Sequence, residues 1–176
     1  MFASDIRQWS TTDAFKSHLA QHSASVCSWV NFIVLHHTYK PVARDWRGLH
    51  SMHALKRYYM SLGWSAGPHL FICHGAPNPA HDGIFQLTPL NMVGVHAGTC
   101  NPRSIGIEVV GNFDVDVWSD QLTTLVCTTI AHLMDWRGLP SLAITGHRNC
   151  NSPKTCPGQN VIIPDVRSTV AQIRGR

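Results

Sequence analysis

The sequence predicts a single α/β domain: a central mixed β-sheet flanked by helices. Three observations carry this. Short runs rich in β-branched and aromatic residues, such as Asn31 to Leu35 and Ser104 to Val110, recur between segments with helical apolar spacing, such as Gly48 to Leu62 and Ser119 to Gly138. The two kinds of segment mix along the whole chain, as expected when helices cover a sheet. No linker, low-complexity tract or charge block interrupts them, and 176 residues suit one domain, 1–176, with a substantial core.

The elements follow in order. Thr12-Asp13 followed by Phe15 and Leu19 predicts a capped N-terminal helix over about 12–24. Asn31 to Leu35 reads as a buried strand that ends at His36-His37-Thr38. Leu49, Met52, Leu55, Tyr59 and Leu62 stand three and four apart, the spacing of an amphipathic helix, and Gly63 stops it. His69 to Cys73 and Gly83 to Leu87 form a hairpin punctuated by Pro77, Pro79 and Asp82-Gly83. Ser104 to Val110 is the next strand. Ser119 caps a long helix whose Leu122, Leu125, Val126, Ile130, Leu133 and Met134 share a face, closed near Gly138. Leu142 to Thr145 is a last short strand, and Pro164 opens a final helix over about 164–175.

Composition narrows the function classes. No apolar run approaches the ~20 residues of a membrane span, so no membrane insertion is expected. Asp5, Arg7, Asp13, Lys16 and His18 break up the first twenty residues, unlike a secretory signal, so synthesis in the cytoplasm without a signal peptide is expected. The net charge of +4 comes without a Lys/Arg stripe, which argues against a nucleic-acid surface and is compatible with an anionic polymer. A monomer is expected. The six cysteines could form three disulfides, but the chain length and ordinary core composition argue against a stapled mini-fold. Cys27, Cys73, Cys100, Cys127 and Cys150 are therefore expected to be reduced thiols.

Twelve histidines make a metal site worth seeking. His36 and His147 both stand where a strand gives way to a loop, and Cys156 follows nine residues after His147. Two imidazoles and a thiolate suit zinc, and three protein ligands leave a fourth position open, as in catalytic sites. Each residue alone has a plainer reading as a core histidine or an inert thiol. His50, His53, His69, His74 and His81 raise a second metal site as an alternative to surface or packing roles. Trp46 and Trp64 are candidates for lining a sugar groove.

Three motifs in order change the weight of this set. They are His36-His37-Thr38 after an apolar strand, the segment Asn101 to Gly111 (Asn-Pro-Arg-Ser-Ile-Gly-Ile-Glu-Val-Val-Gly), and Gly146-His147 with Pro153 to Gly158. Together they resemble the N-acetylmuramoyl-L-alanine amidase type 2 family over residues 28–160. Gly63 to His69 and Asp82-Gly83 are similar to its short phage endolysins. The resemblance implies one zinc per chain, held by His36, His147 and Cys156 at the C-terminal edge of the sheet beside a groove. It implies Glu108 as general base, Lys154 facing the developing oxyanion, and His37, Thr38, Trp64, His96 and Asn101 at substrate-binding positions. The implied substrate is peptidoglycan or a muropeptide, cut between N-acetylmuramic acid and L-alanine, with an endolysin reaching the cell wall through a partner pore.

Two departures from the family pattern bear on these roles. Lysozyme-type phage members carry a catalytic tyrosine just before the strand at 69–73, where this chain has Pro68, so proton transfer falls to Glu108. The loop from His147 to Cys156 is one residue longer than in many relatives, which makes Cys150 a rival ligand; Lys154, Pro157 and Gly158 fit the pattern around Cys156. Rival functions are a peptidoglycan-binding recognition module without activity, a cytoplasmic muropeptide-recycling amidase, whose third ligand is usually aspartate, and a zinc hydrolase acting on protein amides.

Overall fold

The computed structural model describes residue 2, residues 5–151 and residues 153–175. Among these the order is β1 (Arg7–Trp9), α1 (Thr12–Ala20), β2 (Phe32–His37), α2 (Leu49–Ser61), β3 (Leu70–Cys73), β4 (Gly83–Gln86), β5 (Ser104–Val109), α3 (Asp120–Arg137), β6 (Ile144–Gly146) and α4 (Ile163–Arg174). The strands form one mixed sheet in the order β1-β4-β3-β5-β2-β6. β3, β5, β2 and β6 run parallel, while β4 is antiparallel to both β3 and β1. No helix among the described residues is long and apolar enough to cross a membrane.

Local chemistry accounts for the long elements. The Ser119 hydroxyl accepts from the Leu122 N–H, and α3 ends at Gly138 in the left-handed region, with φ of 72°, where a side chain would be strained. α1 is capped by Thr11 rather than Thr12 and stops at Ala20, because Ser23 caps a separate short 3-10 turn. β1 has no counterpart in the sequence reading; three residues pairing only at the sheet edge leave no periodic signal. β6 begins at Ile144, later than expected.

Alternation along the strands sorts the core into two layers. Ile33, Leu35, Leu70, Ile72, Ile105, Ile107 and Val109 face α1, α3 and α4. Phe71, Cys73, Phe85 and Val110 face the α2 side, where Trp46 and Met52 fill the layer. Trp46 is fully buried, stacked near Phe71, and does not line a groove. Of the apolar α2 positions, Met52 is buried, whereas Leu49 and Leu62 stay exposed.

One expectation about the cysteines is corrected. Cys100 and Cys150 form a disulfide, with Cα atoms 5.9 Å apart; Cys27, Cys73 and Cys127 are buried thiols. The bridge joins two loops fifty residues apart in sequence, a proximity that composition and chain length do not report.

Candidate metal centre

The parallel strands β2, β5 and β6 all end on one side of the sheet, where open α/β sheets place their ligands. Three side chains converge there: His36 near the end of β2, Glu108 near the end of β5, and His147 directly after β6. His36 lies on β2 itself rather than past its end. The register pairs His36 with Glu108, so their side chains share a face. The same alternation sends His37 to the opposite face, where its Nδ1 accepts the Phe113 N–H at 3.1 Å. The fold therefore assigns one histidine of the pair to each side of the sheet.

His36, His147 and Cys156 each offer one ligand atom, and these atoms lie within 4.8 Å of one another. A tetrahedral metal with bonds of about 2.3 Å to sulfur and about 2.05 Å to nitrogen sets those atoms ~3.6 Å apart. Cys156 Sγ stands 3.6 Å from His36 Nδ1, which fits zinc closely. The His36 and His147 rings approach to 4.5 Å between centroids. Cys150, the rival ligand, is engaged in the disulfide.

The surroundings dictate which nitrogen of His36 faces the cluster. His96 Nε2 is 3.4 Å from the Ser104 carbonyl, an acceptor only, so that nitrogen carries the proton. His96 Nδ1 then accepts from His36 Nε2 at 3.0 Å, which leaves the lone pair of His36 Nδ1 free for a metal. Such a hydrogen bond to the far nitrogen is how proteins orient a metal-binding histidine. At His147, the Asn151 carboxamide engages Nε2 at 3.1 Å; with Nδ1 on a metal, the oxygen end of that amide is the matching partner.

His96 and Asn101 stand behind the site rather than in a groove. His96 is buried against His36, and Asn101 Oδ1 accepts the N–H groups of His96 and Ala97. Gly106 allows this stacking, since a Cβ there would lie 2.5 Å from the His96 ring. The Thr38 hydroxyl donates to the Pro41 carbonyl and accepts the Gly111 N–H, fixing the turn after β2. Trp64 stacks flat on Tyr59 and meets the site through that ring.

Electrostatics favour neutral bases ready for a cation. Burial holds His36 well below the usual imidazole range, with His96 and His147 adding to the effect. Burial lowers His96 to about 3, and burial with the nearby Lys154 charge lowers His147 to about 4. Burial pushes Cys156 up to about 12, although the His37 backbone N–H and Lys154 favour its thiolate. A bound divalent cation reverses that balance and holds the sulfur as thiolate. Burial raises Glu108 to about 8; its Oε1 lies 3.9 Å from His36 Nδ1, and its buried Oε2 has no partner. A buried carboxyl left unsatisfied beside three metal-type ligands is the arrangement expected of a proton carrier.

Two groups near Glu108 escaped the sequence reading. Lys40 and Tyr59 line a recess of about 360 Å3 together with Thr38, Leu55, Tyr58 and Glu108. The spacing along α2 puts Tyr59 on the apolar face of the helix and gives no sign of a polar role. Lys154 lines a separate recess with Pro153, Thr155 and Cys156, in a stretch exposed from Pro153 to Thr155.

Residues 27–159 match the N-acetylmuramoyl-L-alanine amidase family. The chain is 26% identical over 146 residues to peptidoglycan-recognition protein SC2 of Drosophila simulans, covering 81% of this chain and 76% of that one. Its fold is shared by the endolysin N-acetylmuramoyl-L-alanine amidase LysCS from Clostridium intestinale URNW, with a TM-score of 0.65, 24% identity and coverage of 85% and 87%. Drosophila PGRP-LB shares it too, with a TM-score of 0.64, 22% identity and coverage of 79% and 80%.

Proposed function

Since the chain belongs to the N-acetylmuramoyl-L-alanine amidase family, we propose that it hydrolyses the amide between N-acetylmuramic acid and L-alanine in peptidoglycan, using zinc held by His36, His147 and Cys156. The observation that carries this reading is the unpartnered Glu108 carboxyl beside the three ligand atoms. A recognition module needs no buried proton carrier there. Zinc bound to this set supplies a Lewis acid for the amide carbonyl and lowers the pKa of water.

The residues supply the rest. Glu108 takes a proton from the attacking water and returns one to the leaving amine, as its raised pKa suits. Lys154 offers a fixed positive charge to the developing oxyanion, help worth ~3 kcal/mol for one well-placed donor. His96 holds His36 in one orientation and one tautomer. Tyr59 from α2 borders the same recess as Glu108, near the proton work that family members with a tyrosine before β3 share out differently. The oxidised Cys100–Cys150 pair fits action outside a reducing cytoplasm, as an enzyme of endolysin type acting on the cell wall.

The test is mass spectrometry of purified peptidoglycan after digestion by the zinc-loaded protein. Free stem peptides with an unmodified N-terminal alanine are expected, with about one zinc per chain and loss of most of that zinc in Cys156→Ser. The named relatives include peptidoglycan-recognition proteins, which makes binding without cleavage the second reading. Zinc-loaded protein that sediments with the wall but releases no peptide would establish it instead.

A further inference from the structure

The recess beside Glu108 carries a second piece of chemistry. A general acid must touch the leaving amine, and in this reaction the stem peptide hangs from that amine. The recess bordered by Glu108 therefore adjoins the leaving amine from which the stem peptide extends. Its walls are the aromatic and aliphatic side chains of Tyr58, Tyr59 and Leu55, with Thr38 at one side. Lys40 contributes the cation on this wall. Among the described residues no ion pair engages Lys40, and none joins it to Glu108.

The backbone that presents Lys40 is held in an uncommon shape. Tyr39 is a non-glycine residue with φ of 56°, a left-handed conformation that a side chain disfavours and that persists only where neighbours impose it. The imposing bonds run from the Tyr39 N–H to the Gly111 carbonyl at 3.0 Å and from the Thr38 hydroxyl to the Pro41 carbonyl at 2.7 Å. This turn leaves Tyr39 exposed and Lys40 on the wall of the recess. The strained turn is fastened to Gly111, just past the end of β5, the strand that carries Glu108.

We propose that this recess is a carboxylate subsite, in which Lys40 recognises a free carboxylate on the stem peptide close to the scissile amide. The proposal rests on the amidase reading above. Alanine, the first stem residue, has no side-chain carboxylate, so the nearest one belongs to the second residue. The ligand class is a muropeptide whose second residue is isoglutamate rather than its carboxamide. An ammonium–carboxylate hydrogen bond is stronger than the neutral one left to a carboxamide.

Two muramyl tripeptides that differ only in this carboxylate or carboxamide test the assignment on zinc-loaded protein. The carboxylate form is expected to have the higher kcat/KM, by about tenfold, carried mainly by KM. Lys40→Met should bring the two substrates to within about twofold of each other, and Lys40→Arg should keep the preference. Equal rates for the two substrates with the native protein, or a preference that survives in Lys40→Met, overturns the proposal. If neither substrate is cleaved, the amidase reading fails on its own; calorimetric binding of the same two compounds to the same proteins then decides the Lys40 assignment by the same ratios.

Discussion

Removing the Cys100–Cys150 bridge separates global stability from the metal site. The bridge closes a loop of 50 residues, which in the chain-entropy account constrains the unfolded state by ~4 kcal/mol. Its local effect should be smaller. Cys150 is three residues from His147, but the ligand loop has its own fastenings. The Arg148 backbone N–H donates to the Cys156 carbonyl at 2.8 Å, and its guanidinium donates to the carbonyls of Gly158 and Val161, both at 2.8 Å. These bonds tie the His147 segment to the Cys156 segment without help from the bridge. A Cys100→Ser/Cys150→Ser protein, metal-free, should therefore lose ~4 kcal/mol in urea denaturation. Its zinc affinity, from competition with a chelator, should fall by less than about tenfold, well short of the loss typical when a partner orienting a ligand is removed. The native protein in reductant should match the double variant in both measurements. A variant that loses zinc while its metal-free stability stays native would refute this reasoning, since it would make the bridge a part of the metal site. An unchanged urea midpoint would refute the entropic argument.

Two further outcomes follow from the packing and charge of the site. Gly106→Ala places a methyl group 2.5–2.8 Å from the His96 ring, so His96 must shift and its bond to His36 weakens; we expect ~1–3 kcal/mol of lost stability and ~10–100-fold weaker zinc binding, measured separately by denaturation and metal titration. Native zinc affinity in that protein would show that His96 does not orient His36. Glu108 has a folded pKa of about 8 against an unfolded value of 4.5, so between these values the unfolded chain has released a proton that the folded chain keeps, and stability falls as pH rises. The buried histidines act in the opposite sense: His69, His96 and His147 are lowered to about 4, 3 and 4, so their contribution rises with pH and is complete above their unfolded value of 6.5. Near pH 6.5 the unfolded chain still binds protons on His36, His69, His96 and His147 that the folded chain lacks, so the Glu108 effect is read as the difference between the native protein and Glu108→Gln. Between pH 6.5 and 8 the stability of the metal-free native protein should have a slope more negative than that of Glu108→Gln by up to ~1.4 kcal/mol per pH unit. Equal slopes in the two proteins would remove the burial argument for Glu108.

The sequence by itself determined the features that depend on near neighbours. Ser119 and Gly138 bound α3 because a cap and a left-handed stop act within a few residues. The β3–β4 hairpin follows from short-range turn chemistry, and the alternation in Ser104 to Val109 already set Glu108 on the face opposite Ile107 and Val109. The family motifs brought His36, His147, Cys156 and Glu108 into one hypothesis, because the order of those residues survives in a linear reading. Tertiary structure alone decided what depends on pairs far apart in the chain. Cys100 and Cys150 meet only when two loops fold beside each other. The proton arrangement of His36 is set by His96, sixty residues away, and that of His96 by the Ser104 carbonyl. Lys40 and Tyr59 border Glu108 because the turn after β2 and the α2 helix close on the end of β5. Periodicity and propensity are properties of neighbouring residues, whereas a hydrogen-bond relay, a disulfide and a recess are properties of a packed arrangement in which sequence distance no longer measures separation.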